Sequence, residues 1–300
     1  MNGSEERLRQ VSSKGNVLVK QLRQAFTQAE LTDDGYCAIE GTRMLEEAIR
    51  SGLRMKAVFF SQSGRERARR LLPQISSHVE TLLLPDEIFR GAVDTETPQG
   101  VAALVKPKVF PFEEMVGPEA LVLGAAGIQD PGNFGTMIRS AEAMGASGLL
   151  ATEGTVHCFN PKVIRAAAGS LFRLPVLKMA MNDALQKLRA AGAAILATSS
   201  HKGTPIYEAE LTGPCAVFIG AEGAGISKDL IAAADEVIAI PHVGQAESLN
   251  AGVAAAIILY EAARQRIAPA AAAENSRDSG ETETDTLPPH RRVRRGSEEK

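Results

Sequence analysis

The chain of 300 residues contains no tryptophan, and only 4% of its residues are aromatic. Stacking of bases on aromatic side chains is therefore not expected to be its main activity. Because the net charge is only −3, contacts with a phosphate backbone would have to come from local patches of lysine and arginine. The N-terminus lacks the apolar core of a signal peptide, and no apolar run is long enough to span a bilayer. We therefore expect a cytoplasmic protein with no membrane partner.

Cysteine is also scarce. The three cysteines, Cys37, Cys158 and Cys215, are far apart, and none belongs to a CxxC pair. This spacing is not that of a zinc site or of a disulfide framework. It predicts reduced, buried thiols and no metal.

Two series of alternating strand-like and helix-like segments divide the chain. The first, residues 35–107, predicts a compact α/β unit and ends where prolines interrupt regular structure. The second, residues 108–267, has near-continuous apolar strands between amphipathic helices. Such strands predict a mostly parallel sheet with helices on both faces. The predicted fold class is therefore α/β, with two domains.

Shorter segments flank these two units. Residues 1–34 are predicted to form a separate helical segment, and Thr42 is predicted to cap the helix that follows the first strand. The apolar face of the N-terminal helix is predicted to consist of Val17, Leu18, Leu22 and Phe26. Residues 268–300 are rich in Ala, Glu, Thr, Ser and Pro, a composition that predicts a disordered tail.

Three polar loops of the second unit each follow an apolar strand, which is where open α/β sheets bind ligands. They are residues 127–135, with Arg139 one turn further on, residues 220–225, and residues 240–250. Glycines in the loops allow close approach of the backbone to a ligand. Neither of the first two loops has the GxGxxG spacing, which disfavours an NAD-dependent oxidoreductase.

Each loop also has a simpler structural interpretation. Asn133 and Ser248 are each suited to cap a helix, and Arg139 with Glu142 is suited to a surface ion pair. Residues 220–225 can be a strand-to-helix turn, with Ser227 capping the next helix. Taken singly, none of the loops identifies a function.

Taken together and in order, the loops resemble the three motifs of the SpoU (TrmH-type) RNA 2'-O-ribose methyltransferases. The matching segments are Asp130-Pro-Gly-Asn133-Phe-Gly-Thr-Met-Ile-Arg139, Gly220-Ala-Glu222-Gly-Ala-Gly225, and Ile240-Pro241 through Ser248-Leu249-Asn250. Supporting matches are residues 97–101, 160–165 and 169–175. The resemblance covers roughly residues 8–265.

The resemblance implies a fold and a cofactor. Residues 108–267 would form a SPOUT domain with a deep trefoil knot, and residues 35–107 would form an L30e-like domain that binds the RNA substrate. It further implies a homodimer packed through the knotted domain. S-adenosylmethionine would be the methyl donor, with no metal. Its expected contacts are Thr198, Gly220, Ile240 and Leu249.

The implied reaction is methyl transfer to a ribose 2'-hydroxyl. The catalytic residues would be Arg139, Asn133, Glu222, Ser248 and Asn250. Because arginine is too basic to accept a proton near neutral pH, we expect Arg139 to stabilise the developing alkoxide or a neighbouring phosphate.

The extra N-terminal domain favours 23S ribosomal RNA as the substrate. A tRNA 2'-O-ribose methyltransferase and a non-catalytic RNA-binding ribosome-assembly factor of the same fold are the alternatives. Retention of all five catalytic-motif residues counts against the assembly factor.

Two departures from the family pattern lie outside the catalytic residues. His242-Val243 stands where the family more often has methionine, and Ala167 stands where serine is common. Both are expected to affect substrate selectivity rather than catalysis. Two arginine-rich segments of the first unit, at 50–56 and 65–70, and the segment 291–295 are candidate phosphate contacts, with a solvated surface as the alternative.

Overall fold

The computed structural model describes the backbone of residues 7–200 and 202–278, with side chains as far as residue 267. Over these residues the chain forms two sheets, one in each of the two alternating series. The strands of the N-terminal unit are β1 (Leu8–Gln10), β2 (Cys37–Glu40), β3 (Arg54–Ser61), β4 (Glu80–Leu84) and β5 (Val101–Lys106). Its helices are α1 (Val17–Gln28), α2 (Thr42–Arg50), α3 (Arg65–Leu71) and α4 (Asp86–Arg90).

The N-terminal sheet has the order β1-β4-β3-β5-β2. Strand β5 runs antiparallel to β2 and β3, whereas β4 pairs in parallel with β1 and β3. Helix α1 packs on this sheet through Val19, Leu22, Ala25 and Phe26. The structure thus includes residues 8–28 in the N-terminal unit, where the sequence predicted a separate helical segment.

Two local predictions in this unit are wrong. Val17 is exposed, whereas Val19 lies on the buried face of α1 with Leu22 and Phe26, at spacings of three and four residues. Helix α2 begins at Thr42 as predicted, but Gly41 is its N-cap and no side chain caps it.

The C-terminal unit contains the larger sheet. Its strands are β6 (Leu121–Ala126), β7 (Gly148–Ala151), β8 (Val176–Lys178), β9 (Ala194–Ser199), β10 (Thr204–Pro205), β11 (Cys215–Gly220) and β12 (Glu236–Ala239). Its helices are α5 (Pro131–Ala143), α6 (Pro161–Ala167), α7 (Met181–Ala190), α8 (Lys228–Ala233) and α9 (Ala251–Asp278).

All pairs in this sheet are parallel, in the order β10-β12-β9-β11-β6-β7-β8. Alternate residues of β11 belong to different apolar clusters. Val217 lies with residues of α5, α6 and α9, whereas Ala216 and Phe218 lie with residues of α7 and α8. Helices therefore cover both faces, which confirms the predicted parallel α/β sheet. Strand pairing does not trace how the chain threads, so the knot stays a prediction.

The two units pack against each other. Met44 and Leu45 of α2 belong to the same buried apolar cluster as Leu171 and Phe172 of the C-terminal unit. All three cysteines are free, and burial raises the pKa of the Cys37 thiol to about 12. None of the helices in the described part of the chain is long and apolar enough to cross a membrane.

Helix α9 is longer than predicted. It continues to Asp278, whereas the sequence predicted a tail from residue 268. Its alanine-rich composition explains the extension, because alanine has the highest helix propensity. The remainder of the predicted tail, including the basic segment 291–295, lies outside the described residues.

Arg266 ties α9 to the amino ends of two strands of the larger sheet. Its guanidinium donates to the carbonyl oxygens of Leu211 at 2.8 Å, Glu119 at 2.6 Å, Gly213 at 2.8 Å and Ala120 at 3.2 Å. These carbonyls precede β6 and β11, the two central strands. One side chain thus ties the last helix to the start of the sheet.

Replacing Arg266 with alanine should destabilise the C-terminal unit. Hydrogen bonds to a charged donor contribute about 1.5–3 kcal/mol each, and partial replacement by water reduces the expected total to about 2–3 kcal/mol. The melting temperature measured by circular dichroism should fall by about 5–10 °C. Arg264→Ala is the control, because Arg264 pairs only with Glu261 of its own helix among the described residues. Equal melting temperatures for the two variants would contradict this role.

Candidate active site

The three motif loops meet at one edge of the C-terminal sheet. Strands β12, β9, β11 and β6 are consecutive neighbours and all parallel, so their carboxyl ends lie side by side. The loops after β6, β11 and β12 are the three singled out in the sequence. Their polar side chains therefore come from segments up to 117 residues apart in the chain.

A network of amide and carboxylate groups joins the loops. The Asn133 side-chain amide donates to Glu222 Oε1. The Asn250 amide donates to Asn133 Oδ1 at 2.8 Å and to Glu222 Oε1 at 3.1 Å. The backbone N–H of Ala251 also points at Glu222 Oε1, at 3.5 Å. One carboxylate oxygen thus connects all three motifs, whereas Oε2 of the same carboxylate takes none of these bonds.

The start of α5 explains why Asn133 is available for this network. Asp130 is the N-cap and accepts from the backbone N–H of Asn133 at 2.7 Å, and Pro131 occupies the first helical position. The interpretation of Asn133 as the cap is therefore wrong. Asp followed by Pro is a recognised start signal, which could have identified the true cap from sequence.

The start of α9 corrects a second interpretation. Asn250 is the cap, since its Oδ1 accepts from the backbone N–H groups of Gly252 at 3.0 Å and Val253 at 3.2 Å. Ser248 is exposed and lies before the helix, which begins at Ala251. The Ser248 hydroxyl thus makes no cap bond, and Asn250 both starts α9 and joins the network.

The loop after β11 folds back tightly. A Cβ on Gly220 would lie 2.2 Å from the carbonyl carbon of Gly225, so no other residue fits there without movement. Gly225 donates its N–H to Ala221 O at 2.8 Å, and Ser227 caps α8 by accepting from Leu230 N at 3.2 Å. The predicted turn with its Ser227 cap is confirmed. This turn brings Glu222 to the network.

A cavity of about 280 Å³ lies beside the network. Its walls include the four residues expected to hold the cofactor and two of the five expected at the reaction centre. These are Thr198, Gly220, Ile240 and Leu249, with Glu222 and Ser248. Two carboxylates, Glu222 and Glu247, face it, and none of the described residues lining it is lysine or arginine. The cavity therefore has apolar walls and a negative side.

His242 spans the loop that closes one side of the cavity. Its Nδ1 lies 3.0 Å from Ile240 O and its Nε2 lies 2.9 Å from Ala246 O. Carbonyl oxygens only accept, so a ring with one N–H donates to one of them and a doubly protonated ring donates to both. His242 was noted in the sequence only as a departure from the family, and its loop-spanning position was not foreseen.

Arg139 lies apart from the cavity. It is exposed on α5, about 9 Å along the helix axis from Asn133 at 1.5 Å per residue, and it does not line the cavity. The suggested Arg139–Glu142 pair is not formed. Glu142 instead accepts from Arg173 Nε at 2.8 Å, and this hydrogen bond lowers the pKa of the Glu142 carboxyl. No role for Arg173 was predicted from the sequence, although this residue belongs to a supporting motif.

Both units of the chain resemble known protein families. The family model described as "SpoU rRNA Methylase family" matches residues 120–260, and the "MRM3-like substrate binding domain" matches residues 16–103. A 23S rRNA (guanosine(2553)-2'-O)-methyltransferase of Bacillus subtilis, RlmP, is 33% identical over 84% of this chain and 98% of its own length. A 23S rRNA (uridine(2479)-2'-O)-methyltransferase of Streptomyces viridochromogenes is 31% identical over 79% of this chain and 85% of its own length.

Solved structures agree. The SpoU methyltransferase AviRb of Streptomyces viridochromogenes, in complex with AdoMet, superposes with a TM-score of 0.74 at 29% identity, covering 84% of this chain and 98% of that one. A structure described as an RNA 2'-O ribose methyltransferase gives 0.73 at 30% identity, covering 86% and 99%. The parallel sheet, the three loops and the similarity to these solved structures define a two-unit protein of the SPOUT class. The chain belongs to the SpoU rRNA methylase family.

Substitutions at Asn250 should separate its two roles. Asn250→Asp keeps an oxygen to cap α9 but removes the donor to Asn133 and places a second negative charge beside Glu222. Asn250→Ala removes both, including a cap bond that contributes about 1 kcal/mol. We expect faster hydrogen exchange in residues 221–226 and 240–250 for both variants, but faster exchange at Gly252 and Val253 only for alanine. If the two loops of the Asn250→Asp variant exchanged hydrogen at the same rate as in the wild type, the network would not be what holds them.

Proposed function

We propose that this protein transfers a methyl group from S-adenosylmethionine to a ribose 2'-hydroxyl of large-subunit ribosomal RNA. The observation that carries the proposal is the joining of Asn133, Glu222 and Asn250, one from each family motif, beside a single cavity. The two relatives described above carry names stating 23S rRNA 2'-O-methylation, and both match most of this chain.

The donor set of the cavity fits S-adenosylmethionine. Ile240 and Leu249 offer apolar walls for a flat base, and Thr198 and the backbone of Gly220 offer polar groups for its edges and ribose. Glu222 and Glu247 suit a positively charged sulfonium. They would repel the pyrophosphate of a dinucleotide, which is usually bound by free N–H groups or basic side chains. When bound, the cofactor supplies an electrophilic methyl group.

The acceptor hydroxyl needs help because it is a weak nucleophile until its proton leaves. Arg139 is the proposed catalytic group, and its guanidinium would stabilise negative charge on the 2'-oxygen or bind the adjacent phosphate. One well-placed donor of this kind contributes about 3–4 kcal/mol to the transition state. The proton then leaves to a phosphate oxygen or to water, since arginine cannot accept it.

The network residues would position the ribose. Asn133, Asn250 and Glu222 Oε1 are occupied with one another and hold the loops in place. Glu222 Oε2 and the exposed Ser248 hydroxyl are the atoms that remain for hydrogen bonds with the ribose. We assign these two atoms to the acceptor side, and Asn133 and Asn250 to keeping Glu222 in place.

The N-terminal unit would hold the RNA. Its match to a substrate-binding domain supports this assignment, as does the separate sheet that it forms. We also propose domain limits at about residues 8–106 and 112–278, because each range contains one of the two sheets and its helices. The 23S ribosomal RNA named for the two bacterial relatives lies in the cytoplasm, and we propose the same location for this protein.

Mapping of 2'-O-methylation on ribosomal RNA from cells with and without this protein tests the function. Loss of one methylated ribose in 23S RNA is expected. Titration calorimetry with S-adenosylmethionine and with NAD tests the cofactor, and binding of the first alone is expected. An unchanged methylation map, with a changed tRNA map, would reject ribosomal RNA as the substrate.

Arg139→Ala should abolish methylation, because the alkoxide loses its cationic partner. Arg139→Lys should retain a small part of the activity, since lysine keeps the charge but lacks the planar fork. Binding of S-adenosylmethionine, measured by calorimetry, should change less than about twofold in both variants, because Arg139 does not line the cavity. Full activity of Arg139→Ala would overturn its assignment.

We further propose that the protein is a homodimer that packs through α9. The buried face of this helix contains Ala255, Ile258 and Leu259, yet Val253, Ile257 and Tyr260 are exposed on the other side. Spacings of four and three residues place these three on one face. An exposed apolar stripe rarely stays open to water and is typical of an interface.

Ile257→Glu tests this interface. A buried carboxylate without a partner opposes association, so sedimentation should show a dimer for the wild type and a monomer for the variant. Ile231→Glu is the matched control, because Ile231 is an exposed isoleucine of α8 outside the stripe. A wild-type monomer, or a dimer that survives Ile257→Glu, would reject α9 as the interface.

A further inference from the structure

One guanidinium joins the two units beside the proposed catalytic helix. Arg173 follows α6 and donates through Nε to Glu142 of α5 at 2.8 Å and through Nη1 to Glu47 of α2 at 3.0 Å. Glu142 lies three residues after Arg139 on the same helix. Glu142 also accepts from Ser170 Oγ, at 3.2 Å. We name the three charged groups Glu47, Arg173 and Glu142 the bracket.

The backbone around the bracket is built to bring Glu47 close. Gly169 has φ = +94°, and a Cβ there would lie 2.8 Å from Glu47 Cγ and 3.0 Å from Glu47 Cβ. Any other residue would be strained and would also push α2 away. The side chain of Glu47 is only 13% exposed, and those of Glu142 and Arg173 are 31% and 39% exposed. The bracket is thus a partly buried contact and not a surface pair.

Arg139 and Glu142 would otherwise be partners. Residues three apart on a helix are neighbours, and opposite charges at this spacing attract. In the structure, however, Arg173 and Ser170 occupy both oxygens of Glu142. The hydrogen bond from Arg173 also lowers the pKa of the Glu142 carboxyl, as expected for an ionised carboxylate that is held by a guanidinium. Among the described residues Arg139 is left with no ion pair or hydrogen bond of its own.

We propose that Arg173 is a positioning residue for Arg139: by binding Glu142 it keeps the catalytic guanidinium free for the RNA. This inference rests on the proposed function for the role of Arg139. The second carboxylate, Glu47, ties the same guanidinium to the unit proposed to hold the RNA. Loss of Arg173 would release Glu142 to pair with Arg139 and would leave a bare negative charge where phosphate must approach.

The test is a rescue experiment on the full-length protein. An in-vitro transcript of 23S ribosomal RNA and S-adenosylmethionine serve as substrates. Arg173→Ala should lower kcat/KM for the RNA about fivefold, with the affinity for S-adenosylmethionine unchanged. The double variant Arg173→Ala/Glu142→Ala should recover most of the loss, because the competing carboxylate is gone. A purely structural role predicts the opposite, since the double variant has lost more contacts.

Arg50→Ala is the matched control. Arg50 pairs with Glu47 at 3.1 Å but lies within α2, so its loss removes a cation from the same carboxylate without touching Glu142. Wild-type kcat/KM is expected. A fivefold loss in Arg50→Ala, or no recovery in the double variant, would overturn the proposal.

A crystal structure of Arg173→Ala gives a readout independent of activity. An Arg139–Glu142 distance below 4.0 Å between nitrogen and oxygen is expected, and separate side chains would overturn the inference. If the wild type shows no methylation but the pair forms in the variant, the proposed function fails while the withholding of Glu142 stands.

Discussion

The candidate site depends on one carboxylate oxygen, Glu222 Oε1, which accepts hydrogen bonds from more than one loop. This one oxygen accepts from Asn133 and Asn250, and the backbone of Ala251 lies within reach of it. Asn133 follows β6, Glu222 follows β11 and Asn250 follows β12, so the bonds hold together three loops that already lie side by side at one edge of the sheet. Two of these loops, those after β11 and β12, line the cavity together with the end of β9 and the start of α9. A polar network of this kind specifies one arrangement because a missing partner would leave an unsatisfied donor.

Negative and positive side chains lie on opposite sides of this network. The cavity side has carboxylates and, among the described lining residues, no lysine or arginine, which favours a cationic ligand. The solvent side of α5 carries Arg139, which favours an anionic one. Methyl transfer from a sulfonium to a ribose beside a phosphate needs this separation, since one ligand is positive and the other negative. The same separation argues against a dinucleotide, whose pyrophosphate would face Glu222 and Glu247.

The sequence was sufficient for features that repeat along the chain or lie in contiguous motifs. Apolar strands such as β11 alternate with amphipathic helices, and this predicts the parallel sheet. Contacts between distant segments were harder to predict from the sequence. Ser248 and Asn250 are both suitable caps by residue type, so the sequence alone did not show that Asn250 caps α9 and also contacts Glu222 and Asn133. The bracket depends on Gly169 meeting Glu47 across two units, and a glycine in sequence does not show what it approaches.

The bracket and the network each bind a carboxylate near one end of α5, and so both leave Arg139 without an acidic partner among the described residues. Helix α5 carries Arg139, the arginine proposed for catalysis, and a carboxylate close to it could pair with that arginine and neutralise it. Here Glu222 is occupied by two amides at the start of the helix, and Glu142 is occupied by Arg173 near its end. Both nearby acids therefore have their own partners. Within the described part of the chain Arg139 has no partner, so its interaction energy is available when an anion arrives.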